Sequence, residues 1–241
     1  MTDERPIAVV TGASAGIGAA TVDALVGAGW NVIAAARRID RLQELAARHG
    51  DHCLPIALDV TDAASAASLP QRLPEGWRAV AALVNNAGHD IGGKTPFEER
   101  PVADWIAIIE TNISGMMRVT HALAPALLAA RGHVVNIGSI AGVTALANDS
   151  AYCASKFAVN GFSKALRLDY SGRMRVTEIL PGVVETEFDR VRRHGDDEAA
   201  RRFYAAFARR LQPEDIAACV LFALSQPAHV TIAELLVMPS A

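Results

Sequence analysis

Short apolar runs alternate with longer amphipathic stretches along the whole chain. The runs predict buried strands, because they are continuously apolar instead of alternating with polar residues, as is typical of strands covered on both faces. We predict strands at residues 7–10, 31–36, 54–58, 80–84, 133–137, 175–180 and 234–238. A regular strand–helix alternation of this kind favours a parallel sheet with helices on both faces.

The stretches between these runs predict helices. The first follows a glycine-rich turn and ends at Gly29, since glycine is common directly after a helix. The others lie at residues 39–49, 62–73 (weakly), 102–130 (bent near Pro125), 150–170, 185–210 (broken at His194–Gly195) and 213–224. No linker or repeat interrupts the pattern. We therefore predict an α/β fold, a single Rossmann-type doubly wound domain over residues 1–241.

Composition narrows the class of protein. The chain has 241 residues, of which 51% are hydrophobic, enough for a sizeable core, and a formal net charge of −3. Such a charge gives no reason to expect a nucleic-acid partner. The first six residues are polar and acidic, so we expect no signal peptide, and no stretch is long enough to predict a membrane span. Three widely spaced cysteines predict no disulfide framework and favour the cytoplasm.

A glycine-rich loop directly follows the first predicted strand. Gly12, Gly16 and Gly18 stand between that strand and the first helix. Glycines at this junction permit a tight turn and let backbone amides approach a pyrophosphate, which the positive end of the helix also attracts. The loop predicts a dinucleotide site, and the alternative is an ordinary glycine-rich turn.

Tyr152 and Lys156 are four residues apart in a predicted helix. Residues at this spacing lie on one helix face. A neighbouring ammonium favours the phenolate, and a free tyrosine ionises only near pH ~10. The pair predicts a proton-transfer group, although the spacing alone is common by chance.

The end of the second strand predicts which dinucleotide is bound. A carboxylate there would bind the ribose 2′-hydroxyl of NAD, but Ala36 occupies the position and Arg37 and Arg38 follow it. Guanidinium groups suit a 2′-phosphate, to which the Ser14 hydroxyl could add a further contact. We therefore predict NADP(H), with the alternative that Arg38 is only a solvated residue at a helix start.

Motifs across most of the chain resemble the short-chain dehydrogenase/reductase superfamily in order and spacing. They are Thr11 to Gly18, Asp59–Val60, Asn85 to Gly88, Asn112, Gly138–Ser139, Tyr152 to Lys156, and Pro181–Gly182 followed by Thr186. The C-terminal part is similar to the branch of NADP-dependent 3-hydroxy acid (serine) dehydrogenases and clavulanic-aldehyde reductases. The glycine-rich ending of many superfamily members is missing here, where residues 234–239 read Glu-Leu-Leu-Val-Met-Pro.

The resemblance implies a role for each catalytic candidate. Tyr152 would be the general acid/base, and Lys156 would hold the nicotinamide ribose and lower the pKa of Tyr152. Ser139 would hydrogen-bond the substrate oxygen, and Asn112 would hold a water that links Lys156 to solvent; the alternative for Asn112 is a buried structural role. The predicted cofactor residues are Gly12, Ser14, Gly16, Ile17, Gly18, Arg37, Arg38, Asp59, Val60, Asn86, Ala87, Gly88, Tyr152, Lys156, Pro181, Gly182, Val184 and Thr186.

The resemblance also predicts where a substrate would bind. The expected reaction interconverts a small aldehyde or ketone, for example a 3-oxo acid, and its alcohol, beneath a lid at about residues 183–210. The predicted substrate residues are His89, Asp90, Ser139, Leu146, Val183 and Arg190. Alternatively, His89 and Asp90 close a turn, and the arginines at 190, 192 and 193 form a solvated helix face that meets no substrate carboxylate.

Other classes of protein fit less well. The run from Gly138 to Gly142 does not match the Gly-x-Ser-x-Gly pattern of hydrolases. We predict no metal site, because His49 and His52 have no further ligand group nearby. The alternative function is a cofactor-sensing regulatory protein on the same fold. Apolar helices around residues 103–128 and 152–168 predict a homotetramer or homodimer.

Overall fold

Seven parallel strands form one sheet in the order β3-β2-β1-β4-β5-β6-β7. The structure is a computed structural model that describes residues 5–240; the first four residues, which belong to the predicted polar N-terminus, and Ala241 lie outside the described residues. The strands are β1 Ile7–Thr11, β2 Asn31–Ala36, β3 Cys53–Ala57, β4 Val80–Asn85, β5 His133–Ile137, β6 Arg175–Pro181 and β7 Glu234–Val237. The predicted α/β class and parallel sheet are confirmed.

Helices cover both faces of the sheet. They are α1 Gly16–Gly27, α2 Ile39–His49, α3 Ala63–Ala67, α4 Leu69–Arg72, α5 Val102–Ile109, α6 Met116–Ala129, α7 Ser150–Asp169, α8 Phe188–Arg192, α9 Asp197–Ala205 and α10 Pro213–Leu224. Side chains of α1, α2 and α10 pack on one face, and those of α3, α4, α6 and α7 pack on the other. Successive β1 residues enter opposite cores, which is why the strand must be apolar without alternation.

The crevice of the fold lies between β1 and β4. β1 pairs with β2 on one side and with β4 on the other, so the chain reverses its direction of travel across the sheet at this point. Helices from the two halves leave toward opposite faces, and the loops at the carboxyl ends of β1 and β4 separate. Ligands of doubly wound sheets bind in such a crevice.

Three predicted elements differ in the structure. The stretch predicted as one helix at residues 102–130 contains a π-helical turn, Glu110–Gly115, between α5 and α6, and Pro125 lies within α6. The helix predicted at 185–210 is shorter at both ends, and its predicted break at His194–Gly195 is present between α8 and α9, where both residues have positive φ. The third strand begins at Cys53, one residue earlier than predicted.

The atypical C-terminal end still completes the sheet. β7 pairs in parallel with β6 over four residue pairs, from Glu178↔Glu234 to Pro181↔Val237.

All three cysteines are free. Within residues 5–240, no helix is long and apolar enough to cross a membrane.

Two glycines of α1 test how tightly the first loop is packed. A Cβ at Gly18 would overlap the Gly12 carbonyl oxygen and lie 2.6 Å from the Asn86 side-chain nitrogen, whereas a Cβ at Gly27 would meet nothing within 4 Å. Gly18→Ala should therefore lower the free energy of unfolding by about 1–3 kcal/mol, since overpacking forces the loop to shift. Urea denaturation followed by circular dichroism measures this change.

Gly27→Ala is the matched control in the same helix. It should leave the protein as stable or raise the free energy of unfolding by up to about 1 kcal/mol, because alanine favours a helix. Equal effects of the two substitutions would contradict the packing argument.

Candidate functional site

A cleft of about 620 Å³ runs along the carboxyl ends of β1, β4, β5 and β6. Except for Gly18, every residue predicted to bind the cofactor lines this cleft. Gly18 lies behind it and allows α1 to pack against the loop. The sheet thus gathers residues from opposite ends of the sequence at one edge.

Hydrogen bonds join the two loops at the crevice. The Thr11 hydroxyl accepts hydrogen bonds from the backbone nitrogens of Asn86 (3.0 Å) and Ala87 (3.1 Å). The Asn86 side chain returns one to the Thr11 carbonyl oxygen at 2.9 Å. Gly12 has a φ of +66°, and a Cβ there would lie 2.9 Å from the Ala87 Cα. Only glycine permits this close approach at this backbone conformation.

The N-terminus of α1 opens into the cleft with no side-chain cap. Its N-cap residue is Ala15, which has no side-chain acceptor for the first amides, and Ala15, Gly16 and Ile17 line the cleft. Unsatisfied amides and the helix dipole make such an end suitable for a phosphate group. Thr186 closes over this turn, since a Cβ at Gly16 would lie 3.1 Å from the Thr186 methyl carbon.

Basic groups border the cleft beyond the end of β2. Ser14, Arg37 and Arg38 line it, and Arg38 Nε donates a hydrogen bond to Ser14 Oγ at 3.1 Å. Ala36, the last residue of β2, brings no carboxylate to this position. The guanidinium groups and the hydroxyl fit the 2′-phosphate of NADP(H).

Asp59 and Val60 form the next part of the wall. Asp59 accepts hydrogen bonds from the hydroxyl (2.7 Å) and the backbone nitrogen (2.9 Å) of Thr61. The hydroxyl of Thr61 lowers the pKa of Asp59 below its usual value. Val60 packs against Gly115 of the π-helical turn, where a Cβ would lie 2.7 Å from it.

Ser139, Tyr152 and Lys156 line the same cleft. Ser139 follows β5 and caps a short turn, with its Oγ accepting a hydrogen bond from the Ala141 backbone nitrogen at 3.1 Å. Lys156 Nζ lies 5.7 Å from the centre of the Tyr152 ring and donates a hydrogen bond to the Ile137 carbonyl oxygen at 2.9 Å. The helical spacing therefore places the phenol and the ammonium on one face, as predicted.

Burial controls the ionisation of this pair. It raises the pKa of Tyr152 to about 12, against the Ser139 hydrogen bond and the Arg192 charge, which favour the phenolate. Burial also lowers the pKa of Lys156 to about 8, although the charge of Glu178 acts in the opposite direction. The raised Tyr152 pKa differs from the sequence-based expectation of a depressed one, because desolvation outweighs the charges that favour the phenolate.

Asn112 lies behind the cleft, in the π-helical turn. Its side-chain nitrogen donates hydrogen bonds to the His89 carbonyl oxygen and to Ser155 Oγ, both at 3.0 Å, and its oxygen accepts one from the His89 backbone nitrogen at 2.9 Å. The side chain therefore ties the loop after β4 to α7. π-Helical turns of this kind are frequent at functional sites.

The predicted substrate residues divide into two groups. His89, Ser139, Leu146 and Val183 line the cleft, whereas Asp90 and Arg190 do not. Asp90 is fully buried and its Oδ1 accepts a hydrogen bond from Arg100 at 2.9 Å, so a direct contact with substrate is wrong for this geometry. Arg190 pairs with Asp197 at 3.0 Å on the exposed surface and does not line the cleft, so the structure does not bring it to the predicted substrate position.

Arg192 enters the cleft in place of Arg190. Its Nε lies 2.8 Å from Asp90 Oδ2, and its guanidinium carbon lies 5.2 Å from the Phe188 ring centre and 5.9 Å from that of Tyr152. Asp189 and Asp149, both buried, are its other acidic neighbours, at 3.5 Å and 4.0 Å. The sequence analysis considered Arg192 only as one of three arginines that could meet a substrate carboxylate.

The sequence prediction covered the segment at about residues 183–210 but did not identify its aromatic residues as part of the site. Phe188, Phe203, Tyr204 and Phe207 line the cleft, and Phe188 packs edge-on against Tyr152 at 5.8 Å between ring centres. Their clustering could have indicated a site, because aromatic residues make up only 5% of the chain and four aromatic residues fall within this segment.

The two ends of the segment predicted as a lid are joined by backbone contacts. Val184 bridges Leu211 in parallel, the Leu211 nitrogen donates a hydrogen bond to the Val183 carbonyl oxygen (3.0 Å), and the Glu185 nitrogen donates one to the Leu211 carbonyl oxygen (2.8 Å). The segment between them is thus a long insertion that leaves the sheet after β6 and returns to it before α10.

In residues 5–240, no group of three or more His, Cys, Asp or Glu side chains could hold a metal ion.

Comparisons with known proteins agree with this geometry. The sequence model of the short chain dehydrogenase family matches residues 6–197. An NADP-dependent 3-hydroxy acid dehydrogenase of Salmonella typhi is 42% identical, over 97% of this chain and 94% of its own. Sulfoacetaldehyde reductase 2 of Chromohalobacter salexigens is 39% identical, over 97% and 94%.

A solved structure shares the fold closely. The closed form of a serine dehydrogenase in complex with NADP+ superposes with a TM-score of 0.92 at 40% identity, and the match covers 95% of this chain and 93% of that one.

Proposed function

The chain belongs to the short-chain dehydrogenase family, and from this premise we propose that it interconverts a small carbonyl compound and its alcohol with NADP(H). The observation that carries the proposal is the meeting of Ser139, Tyr152 and Lys156 in the cleft that the Gly12 loop borders. The chain is an NADP(H)-dependent oxidoreductase of the hydroxy acid and serine dehydrogenase branch.

The cofactor would lie along the carboxyl edge of the sheet. The amides at the start of α1 would hold its pyrophosphate, and Ser14, Arg37 and Arg38 would hold the 2′-phosphate. Asp59 would accept a hydrogen bond from the adenine amino group, and Lys156 would hold the nicotinamide ribose. When bound, NADPH supplies the hydride, and the protein positions the reacting atoms around it.

Tyr152 moves the proton in this mechanism. A pKa of about 12 keeps the phenol protonated at neutral pH in the free protein, and that form donates a proton to the carbonyl oxygen during reduction. Ser139 hydrogen-bonds the same oxygen as negative charge develops on it. Lys156 stabilises the phenolate left by proton transfer, and Asn112 helps to hold a water through which the proton is replaced.

Tyr152→Phe removes the proton donor and keeps the ring. Turnover of NADPH with a reactive aldehyde should fall ~100-fold or more, while the affinity for NADPH changes little. Steady-state absorbance and a separate fluorescence titration measure the two quantities.

Tyr170→Phe, at the end of the same helix and outside the cleft, is the control and should retain turnover. If Tyr152→Phe kept normal turnover, the general-acid role would be lost. A wild-type protein that bound NADPH but turned over no carbonyl compound would favour the cofactor-sensing alternative.

The proposed substrate carries an acidic group, as in a small 3-oxo acid and its hydroxy acid. Arg192 supports this, because its buried guanidinium lies beside Tyr152, and its Nη groups, which face Asp189 and Asp149 only at 3.5 Å and 4.0 Å, can bind a carboxylate or sulfonate while the carbonyl faces the phenol. The names of the relatives include a hydroxy acid, serine and sulfoacetaldehyde, all of which carry such a group. His89, Leu146 and Val183 form the rest of the pocket.

Arg192→Lys tests this assignment because it keeps the charge but loses the planar pair of donors. The KM for an acidic aldehyde such as malonate semialdehyde should rise about tenfold, and that for an uncharged aldehyde of similar size should change much less. Arg190→Lys, on the exposed lid face, is the matched control. An equal rise for both aldehydes would count against an acid-binding role.

The segment at about residues 183–210 acts as a lid on the single domain. Its closed base and the aromatic residues beneath it support this role, since they exclude water around Tyr152 when they pack over a substrate. Deuterium exchange of the lid amides should slow when NADPH and a substrate analogue are both bound. Unchanged exchange would contradict closure.

The protein assembles as a homodimer or homotetramer in this proposal. Large apolar side chains are exposed on α5, α6 and α7: Ile106, Ile109, Met117, Phe157 and Leu168. Pairing of these helices across a two-fold axis would bury them. A monomer in sedimentation at micromolar concentration would contradict this.

We also propose a cytoplasmic location, which the three free thiols support and cell fractionation tests.

A further inference from the structure

The Glu187 carboxylate, in the proposed lid segment, pairs with two arginines beside the cleft, Arg38 and Arg41. Glu187 Oε2 lies 2.9 Å from the Arg38 guanidinium, and its Oε1 lies 2.6 Å from that of Arg41. Arg38 in turn donates a hydrogen bond to Ser14 Oγ. Three distant parts of the chain therefore meet here: the loop after β1, the start of α2 and the residue before α8.

These groups form a site for one anion. Two guanidinium groups and a hydroxyl are a donor set that phosphate and carboxylate both accept, and Ser14, Arg38 and Glu187 all line the cleft. A 2′-phosphate that arrived while Glu187 remained would add about two negative charges beside the carboxylate. The two anions therefore compete for the same partners.

We infer that Glu187 is an internal competitor for the 2′-phosphate: its carboxylate occupies Arg38 and Arg41 in the free protein and gives them up when NADP(H) binds. The inference rests on the proposed cofactor site and adds Arg41 to it. Glu187 thus lowers the affinity for the phosphorylated cofactor and leaves binding of the rest of the dinucleotide unchanged. Its partly exposed position, with 36% of the side chain accessible, lets the carboxylate turn toward solvent when it is displaced.

The test compares two probes that differ in the 2′-phosphate alone. Calorimetric titration of the wild type and Glu187→Gln with 2′,5′-ADP and with 5′-AMP separates this subsite from the rest of the cleft. Glu187→Gln should bind 2′,5′-ADP about threefold more tightly or better, the size expected when exposed ion pairs are removed, and 5′-AMP with unchanged affinity.

Glu185→Gln is the matched control. Glu185 lies two residues earlier, pairs with Arg210 at 2.7 Å and does not line the cleft, so its removal should leave both affinities unchanged. Unchanged or weaker binding of 2′,5′-ADP by Glu187→Gln would overturn the inference, as would an equal gain for 5′-AMP.

Failure of the cofactor assignment gives a different result. If the wild type did not prefer 2′,5′-ADP to 5′-AMP, the proposed 2′-phosphate site itself would be wrong. A wild-type preference without a gain in Glu187→Gln would reject only the role of Glu187.

Discussion

The pairing of β1 with β4, and the hydrogen bonds of Thr11 at their ends, support every other feature of the site. The Thr11 hydroxyl holds the backbone of Asn86 and Ala87, and Asn86 in turn holds the loop that begins at Gly12. This junction sets the distance between the phosphate-binding turn and the loop after β4. Helices leave the junction toward opposite faces, which opens the crevice there, and the cleft continues from it along the carboxyl ends of β5 and β6.

Desolvation has opposite effects on the two ionisable groups at the base of the cleft. It raises the pKa of Tyr152 and lowers that of Lys156, because each group loses the water that would stabilise its charged form. Burial of Tyr152 therefore favours a neutral phenol. Charges brought by bound ligands then act at short range in a medium of low dielectric, where they are stronger than at the surface.

Two charged residues of the segment predicted as a lid, Glu187 and Arg192, pair mainly with groups elsewhere in the chain. Arg192 faces Asp90, Asp149 and Asp189, and Glu187 holds Arg38 and Arg41. Burial of charges is costly unless they are paired, which accounts for the three buried aspartates that surround the Arg192 guanidinium. The connection of this segment to the site is thus electrostatic on both sides: at the proposed substrate end through Arg192, and at the cofactor end through Glu187.

The sequence by itself determined the sheet, the glycine loop and the Tyr152–Lys156 pair, because each depends on local spacing or on continuous burial. Tertiary structure decided which charges meet. Asp90 and Arg190 were reasonable substrate contacts by position, but one is buried beneath Arg192 and Arg100 and the other faces Asp197. The direction of a side chain on a short helix depends on what that helix packs against, and neighbouring residues in the sequence do not contain that information. The contacts of Glu187 with Arg38 and Arg41 likewise depend on how the segment before α8 packs beside α2, which the sequence does not specify.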